Sequence, residues 1–299
     1  MTKPQDSAFT AFKPLRPVLL LLALGFALLP ALWAEDAAPK DKEGEEEPKA
    51  PAYERLPELP FRPGEKIFYK LRWSVFEVGD ASMEFSGPVD WNGQKCWLVE
   101  LRAQTNGFAD KIFKVRDYNA VWVDESFSRP VHYIKNQKEG STDREVVVTF
   151  DWENNKAQYS DRGNKQEPID IQPDSWDPLG ITYAVRTLKL DGVIHLSIPS
   201  TDGKKSTTTD IGLSNEAGVK IPAGRFDTVL LTPDIKDLGG VFKKSKRAGI
   251  KIWFSDDERH VPVKMASEVA VGSFVAEMVR MEGPDSEAYN PPPKDGKKR

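Results

Sequence analysis

A single cysteine, Cys96, and only three histidines, His132, His195 and His260, stand in a chain of 299 residues. One cysteine cannot close an internal disulfide, and neither C-x-x-C nor H-E-x-x-H occurs, so disulfide-knot and zinc-ribbon classes drop out. Cys96 in Cys96-Trp97-Leu98-Val99 reads as a small core residue. The histidines are scattered singly and read as solvated or hydrogen-bonded side chains, so no metal site and no cofactor is expected. A surplus of positive charge is missing too. With 42 Lys and Arg against 46 Asp and Glu, the net charge of −4 offers no basic field for DNA or RNA. Long hydrophobic runs are almost absent: mean hydropathy is −0.50, and the one long apolar stretch lies near the start, which excludes a multi-span membrane protein.

That stretch runs from Pro17 to Leu32, after Lys3, Lys13 and Arg16, and leads into Ala34-Glu35-Asp36. A basic start, a short apolar core and a small residue before a polar stretch read as a cleavable secretory signal over residues 1–34. The run falls short of the roughly 20 apolar residues of a spanning helix. No lipid-acceptor cysteine follows it. The expected location is periplasmic or secreted, with no integral membrane span after cleavage. Residues 35–60, rich in Glu, Lys, Ala and Pro, read as a disordered acidic linker, and 282–299 as a disordered tail. The folded domain is then 61–281.

Inside it the dominant periodicity is two. Ile67, Tyr69, Leu71 and Trp73 alternate with Lys66, Lys70 and Arg72, the pattern of a strand with one face on a core. The same alternation marks Trp97-Val99-Leu101, Val146-Val148-Phe150, Ile194-Leu196-Ile198, Ile250-Ile252-Phe254 and Val261-Val263-Met265, with turn signals such as Asn92-Gly93 and Asp202-Gly203 between strands. Gly79 marks a bulge or a close backbone approach. One segment departs from this: Asp177-Pro178 followed by Ile181, Ala184, Val185 and Leu188 predicts a single helix, capped by Asp177. A meander of ten or more strands rarely stays flat. The expected fold is mainly β: a strongly curved antiparallel sheet, an open barrel or β-spiral, with one helix packed on or into it.

Several segments in order carry a family resemblance: Phe61-Arg62-Pro63-Gly64-Glu65 into Phe68–Trp73, Val78-Gly79-Asp80-Ala81, Asp177-Pro178 with Tyr183 and Arg186, Ile221–Thr228, and Ile252–Asp257 through Arg259-His260-Val261-Pro262-Val263. In order and spacing the chain resembles the exported bacterial domain-of-unknown-function family 3108. The resemblance implies an exported, mostly β domain, and supplies no catalytic residues to carry over.

Catalytic constellations are missing from the sequence itself. Gly272-Ser273-Phe274 lacks the second glycine of a nucleophile elbow, and Asp151–Arg162 lacks the glycine and terminal acid of a calcium loop. Asp174 and Asp177 are the nearest carboxylate pair for a glycan hydrolase, and loop capping explains them equally well. Two features suit binding. Large aromatics, among them Trp73, Trp97, Trp122, Tyr133 and Trp253, fall where inward positions are expected, so the curl is either filled or holds an apolar ligand. Lys243, Lys244, Lys246 and Arg247 form a basic cluster suited to anionic headgroups or another envelope polymer. The expectation is a non-enzymatic envelope protein that binds an apolar or amphipathic component such as lipid. The alternative is a structural protein docking an envelope protein partner.

Overall fold

In a computed structural model of the chain, residues 53–234, 249–268 and 273–290 are described. Fifteen strands follow one another along the chain: β1 (Glu65–Trp73), β2 (Phe76–Trp91), β3 (Gln94–Thr105), β4 (Arg116–Asp124), β5 (Pro130–Glu139), β6 (Thr142–Asp151), β7 (Lys156–Asp161), β8 (Asn164–Lys165), β9 (Ile169–Asp170), β10 (His195–Thr201), β11 (Ser206–Ile221), β12 (Gly224–Pro233), β13 (Gly249–Ser255), β14 (Pro262–Glu268) and β15 (Ser273–Glu282). Among the described residues one α-helix, α1 (Gly180–Arg186), lies between β9 and β10. All strands belong to a single antiparallel sheet, ordered β10 to β15, then β1 to β8, with β9 beside β7. The first and last strands of the domain therefore pair, Trp73 opposite Phe274, and join an N-terminal and a C-terminal meander into one curved sheet that is not closed. The curved antiparallel sheet with one helix is the expected architecture.

Alternation explains which residues face the core. On β1, Ile67 and Tyr69 are buried between lysines, and on β13 and β14 Ile250, Ile252, Phe254, Val263 and Met265 are buried. The pattern fails at Ile194, which precedes β10 and is exposed. Gly79 is a close approach: a Cβ there would lie 2.1 Å from the Gln104 carbonyl oxygen of β3.

Helix α1 differs from its expected amphipathic form. Its residues are buried apart from half-buried Ile181, so the sheet encloses nearly the whole circumference. Leu188, expected on the apolar stripe, lies beyond the helix end. The Tyr183 ring packs against Phe61 at 5.0 Å and Phe85 at 6.1 Å, and Phe127 joins the cluster from the β4–β5 turn. Fully buried Arg186 would be costly there without a counter-charge. Its guanidinium donates to both oxygens of fully buried Glu65, at 2.6 and 3.0 Å. Arg259 donates to the same carboxylate at 2.6 Å, and its backbone carbonyl accepts from Arg186 Nε. One acid thus ties β1, the helix and the β13–β14 turn together.

The ordered domain extends past the expected 61–281. The Tyr53 hydroxyl accepts from the Ser197 amide, and Glu54 to Leu56 bond the backbone after α1. At the other end, Tyr289 is buried and donates to Asp257. Charge and proline in these stretches suggested tethers; the few aromatic and aliphatic side chains among them are what anchor them. Residues 1–52 and 291–299 lie outside the described residues.

Replacing Glu65 with Gln leaves Arg186 buried without its counter-charge, an arrangement that costs about 3–5 kcal/mol. Urea unfolding of Glu65→Gln is expected to show that loss; a midpoint equal to wild type would show that the pair does not hold the helix.

Candidate functional site

Strand register defines two ends of the curl. The start of β1, the β4–β5 turn, the β13–β14 turn and α1 gather at one end, here called the plug end. The opposite end, the mouth, carries the β1–β2 turn, the loop between β3 and β4, and the β5–β6 turn. The mouth rim is apolar at its tips: Val75, Phe76, Phe108 and Ile112 are 76%, 57%, 61% and 50% exposed. Asn106 laces the two loops side by side, its backbone N–H bonding the Val78 carbonyl and its side-chain amide the Glu77 carbonyl, each at 2.9 Å. Trp73 ends β1 at the same rim, half-buried and stacked on Phe274 at 6.4 Å.

Just inside the mouth the inner face turns polar. Asp117 and Asn119 on β4, with Tyr133, Lys135, Gln137 and Glu139 on β5, share one face, and each is less than a tenth exposed. Asn119 sits opposite Lys135 and Val121 opposite Tyr133 in the ladder. The β10–β11 turn reaches across from the C-terminal meander onto β6 and β7: a Cβ on Gly203 would meet Val148 and Tyr159 within 3.2 Å, and Lys204 lies 4.6 Å from the Tyr159 ring. Asp202 shapes this tip by accepting the backbone N–H of Lys204 and Lys205.

This buried polar cluster is electrostatically strained. Burial, then the nearby charge of Asp117 and a hydrogen bond to it, pushes the Glu139 carboxyl up to about 9. Burial also raises Asp117, against the Glu139 hydrogen bond and the Lys138 N–H that donates to it at 2.8 Å. Burial lowers Lys135, opposed by attraction to the two acids. Taken as bare carboxylates, Asp117 Oδ2 and Glu139 Oε1 lack partners. One proton on Glu139, donated to Asp117, relieves the like-charge contact. Asn119 Oδ1 and the Tyr133 hydroxyl remain buried without a partner. None of these polar residues was singled out from sequence except Tyr133. The available signal was phase: Asp117, Asn119, Val121 and Val123 alternate on one face, polar at the mouth and apolar deeper, while Tyr118, Ala120 and Trp122 occupy the other.

The sequence-derived aromatics do not converge. Trp97 lies at the plug end, 5.3 Å from Phe85. Trp122 points to the outer face, where it clusters with Trp91 and His132, Trp91 stacking on the imidazole at 4.1 Å, contrary to its expected inward position. Its ladder neighbours Val121 and Val123 take the inner face. Trp253 likewise takes the face opposite Ile252 and Phe254, its indole donating to Glu216 at 2.7 Å. Tyr133 alone of the five belongs to the buried polar cluster. Lys243, Lys244, Lys246 and Arg247 lie outside the described residues.

Among the histidines, His195 is exposed near Asp210, and His260 is buried on the Arg186 carbonyl. His132 departs from the solvated or hydrogen-bonded expectation: its Nδ1 lacks a partner, and burial lowers it to about 4. Asp177 Oδ1 accepts the Leu179 and Gly180 N–H at 2.9 Å, as a helix cap does, while Asp174 is exposed in a left-handed turn. At the plug end a cavity of about 690 Å³, lined by Leu56, Pro60, Arg62, Lys189, Arg259 and Asp285, mixes both charge signs. Among the described residues no group of three or more His, Cys, Asp or Glu could hold a metal, and no helix is long and apolar enough to cross a membrane.

Residues 69–279 match the family described as Protein of unknown function (DUF3108). Among solved structures, the beta-barrel-like protein of domain of unknown function DUF1849 from Brucella abortus has a TM-score of 0.53 at 10% identity, over 77% of this chain and 99% of that one. The hypothetical protein CT021 from Chlamydia trachomatis has a TM-score of 0.33 at 10% identity, over 78% and 93%. The first likeness extends to the fold. No curated protein matches.

Glu139 binds a proton in the fold that the unfolded chain releases near 4.5, and Asp177, lifted by burial to about 7, does the same above 3.8. The contribution of these two groups to stability is therefore fully present below their unfolded values and falls as pH rises through these windows. Urea unfolding between pH 4 and pH 9 is expected to show a flatter profile for Glu139→Gln and Asp177→Asn than for wild type. Parallel profiles would remove the buried-acid assignment.

Proposed function

We propose, for a chain that belongs to the DUF3108 family of proteins of unknown function, a non-enzymatic role in the cell envelope: it binds an amphipathic component, such as a lipid, at the mouth of the curved sheet. The exposed apolar side chains of Val75, Phe76, Phe108 and Ile112 on two adjoining loops carry this reading. Scattered exposed hydrophobics are ordinary, whereas a cluster at one rim favours an apolar partner. The plug end holds α1 and its ring cluster beside a cavity of mixed charge, whereas the mouth presents apolar side chains to solvent. Support for a binding role over chemistry comes from the same geometry. Asp174 and Asp177 stand apart in exposure, and the buried carboxyl pair is hydrogen-bonded to itself.

Burying one such side chain is worth about 1.5–3 kcal/mol. A variant carrying Val75→Ser, Phe76→Ser, Phe108→Ser and Ile112→Ser is expected to partition at least about tenfold more weakly into phosphatidylglycerol–phosphatidylethanolamine vesicles, with its unfolding midpoint unchanged. Cosedimentation reads this directly. Equal partition of variant and wild type, or failure of wild type to partition, would overturn the proposal.

A further inference from the structure

We propose that the mouth rim docks on the surface of an anionic phospholipid bilayer, with Phe76, Phe108 and Ile112 entering its acyl boundary and Lys111 and Lys114 contacting its charged headgroups. This rests on the mouth-binding reading above and adds the partner to it. The loop between β3 and β4 supplies most of the contact, and its own bonding holds apolar side chains out in water. Ala109 is 1% exposed, and the Phe113 ring packs on the β5–β6 turn so closely that a Cβ on Gly140 would lie 2.6 Å from it. Asn106 Oδ1 accepts the Ala109 N–H at 3.0 Å, and the Ala109 carbonyl accepts the Ile112 and Phe113 N–H at 2.9 and 2.7 Å. With Ala109 and Phe113 turned in, Phe108, Lys111 and Ile112 are turned out, all three exposed. A loop fixed in this way cannot fold its apolar tips under, so a partner is needed to take them out of water.

Charge identifies that partner. The whole chain is net negative, yet the acids near the rim are answered by cations of the fold itself. Asp110, next to Lys111 in sequence, turns back to β4: Arg116 donates to its two oxygens at 3.0 and 2.7 Å, and the Thr105 hydroxyl donates to it as well. The bonds from Arg116, then from Thr105, hold the Asp110 carboxyl down at about 2, so it stays ionised and paired. Glu77 and Asp80 each lie 2.8 Å from Lys70 Nζ, and on the β5–β6 hairpin Lys138 stands opposite Asp143. Lys111 and Lys114 are left over: both are exposed, and among the described residues neither makes an ion pair. Lys111 adjoins Ile112, and Lys114 follows two residues later. Free cations set beside apolar tips match the two layers of an anionic bilayer, acyl chains under charged heads. An apolar groove on a protein would cover the tips and leave the lysines unanswered, and a soluble polyanion would do the reverse.

A lysine close to an anionic surface is worth roughly fivefold in partition at low salt. The test cosediments the full chain with vesicles of phosphatidylcholine alone and with vesicles of phosphatidylcholine and phosphatidylglycerol. The expected result is partition about tenfold or more tighter into the anionic vesicles, a preference that disappears in about 0.5 M salt. It also disappears in the Lys111→Gln, Lys114→Gln double variant, whose partition into phosphatidylcholine alone stays that of wild type. Both side chains are exposed and unpaired, so this variant keeps the wild-type unfolding midpoint. Equal partition of wild type into the two vesicles, or an anionic preference that survives the double variant, overturns the inference. Phe108→Trp adds a reporter at the tip: quenching by acyl-brominated lipid in excess of wild type places it in the membrane, and no excess quenching overturns docking by this edge. The four-serine variant above separates the two proposals. If it partitions weakly while the lysine variant behaves as wild type, the apolar rim stands and the anionic partner falls. If it keeps wild-type partition while the lysine variant loses its preference, the apolar rim and its insertion fall and anionic selection by the lysines stands.

Discussion

Everything in the fold is arranged around one carboxylate. Glu65 opens β1, the strand on which the N-terminal and C-terminal meanders meet, and it is fully buried between two guanidiniums. Arg186 brings α1 to it, and Arg259 brings the β13–β14 turn. Arg259 then reaches on, donating to the carbonyls of Pro60, Pro284 and Asp285, so the segments that enter and leave the domain are fastened to the same point. The Phe61 ring lies under the Arg186 guanidinium at 4.7 Å, and Tyr183 at 4.8 Å, which adds attraction where water is excluded. A charge buried this way is conditional on its partners, so the cluster fixes one arrangement of helix and sheet rather than merely adding stability.

That placement determines what the rest of the curl can do. With the helix drawn to one end and wrapped by the sheet, the aromatic content of the interior is spent on packing there: Phe61, Phe85, Phe127 and Tyr183 touch one another. The opposite end is built differently. Its loops present apolar tips, and its inner face carries acids, a lysine and amides. The mouth thus sets an apolar rim above buried polar side chains, whereas the plug end is built around the ion cluster and the aromatic rings.

Much of the fold was legible because it is written in nearest-neighbour alternation. Ile67 and Tyr69, or Val146 and Val148, declare a face by spacing two, and Asp177-Pro178 declares a helix start by chemistry. Helix surroundings were not legible: beyond the stripe of Ile181, Ala184 and Val185, the polar Thr182 and Arg186 are buried as well, and the partner of Arg186 lies 121 residues away. Trp122 and Trp253 misled because size was taken for direction. Their phase against Val121 and Ile252 sends them outward, where a contact with His132 and a bond to Glu216 receive them. The buried polar cluster escaped notice for the opposite reason. Lys135, Gln137 and Glu139 look like a solvated face, and the curl of the sheet buries them.

Native mass spectrometry of the full chain purified gently from its own cell envelope tests the account most directly. A bound amphipathic molecule, released on activation as a discrete mass, is the result the account predicts. A bare polypeptide mass under conditions that preserve non-covalent contacts would contradict it.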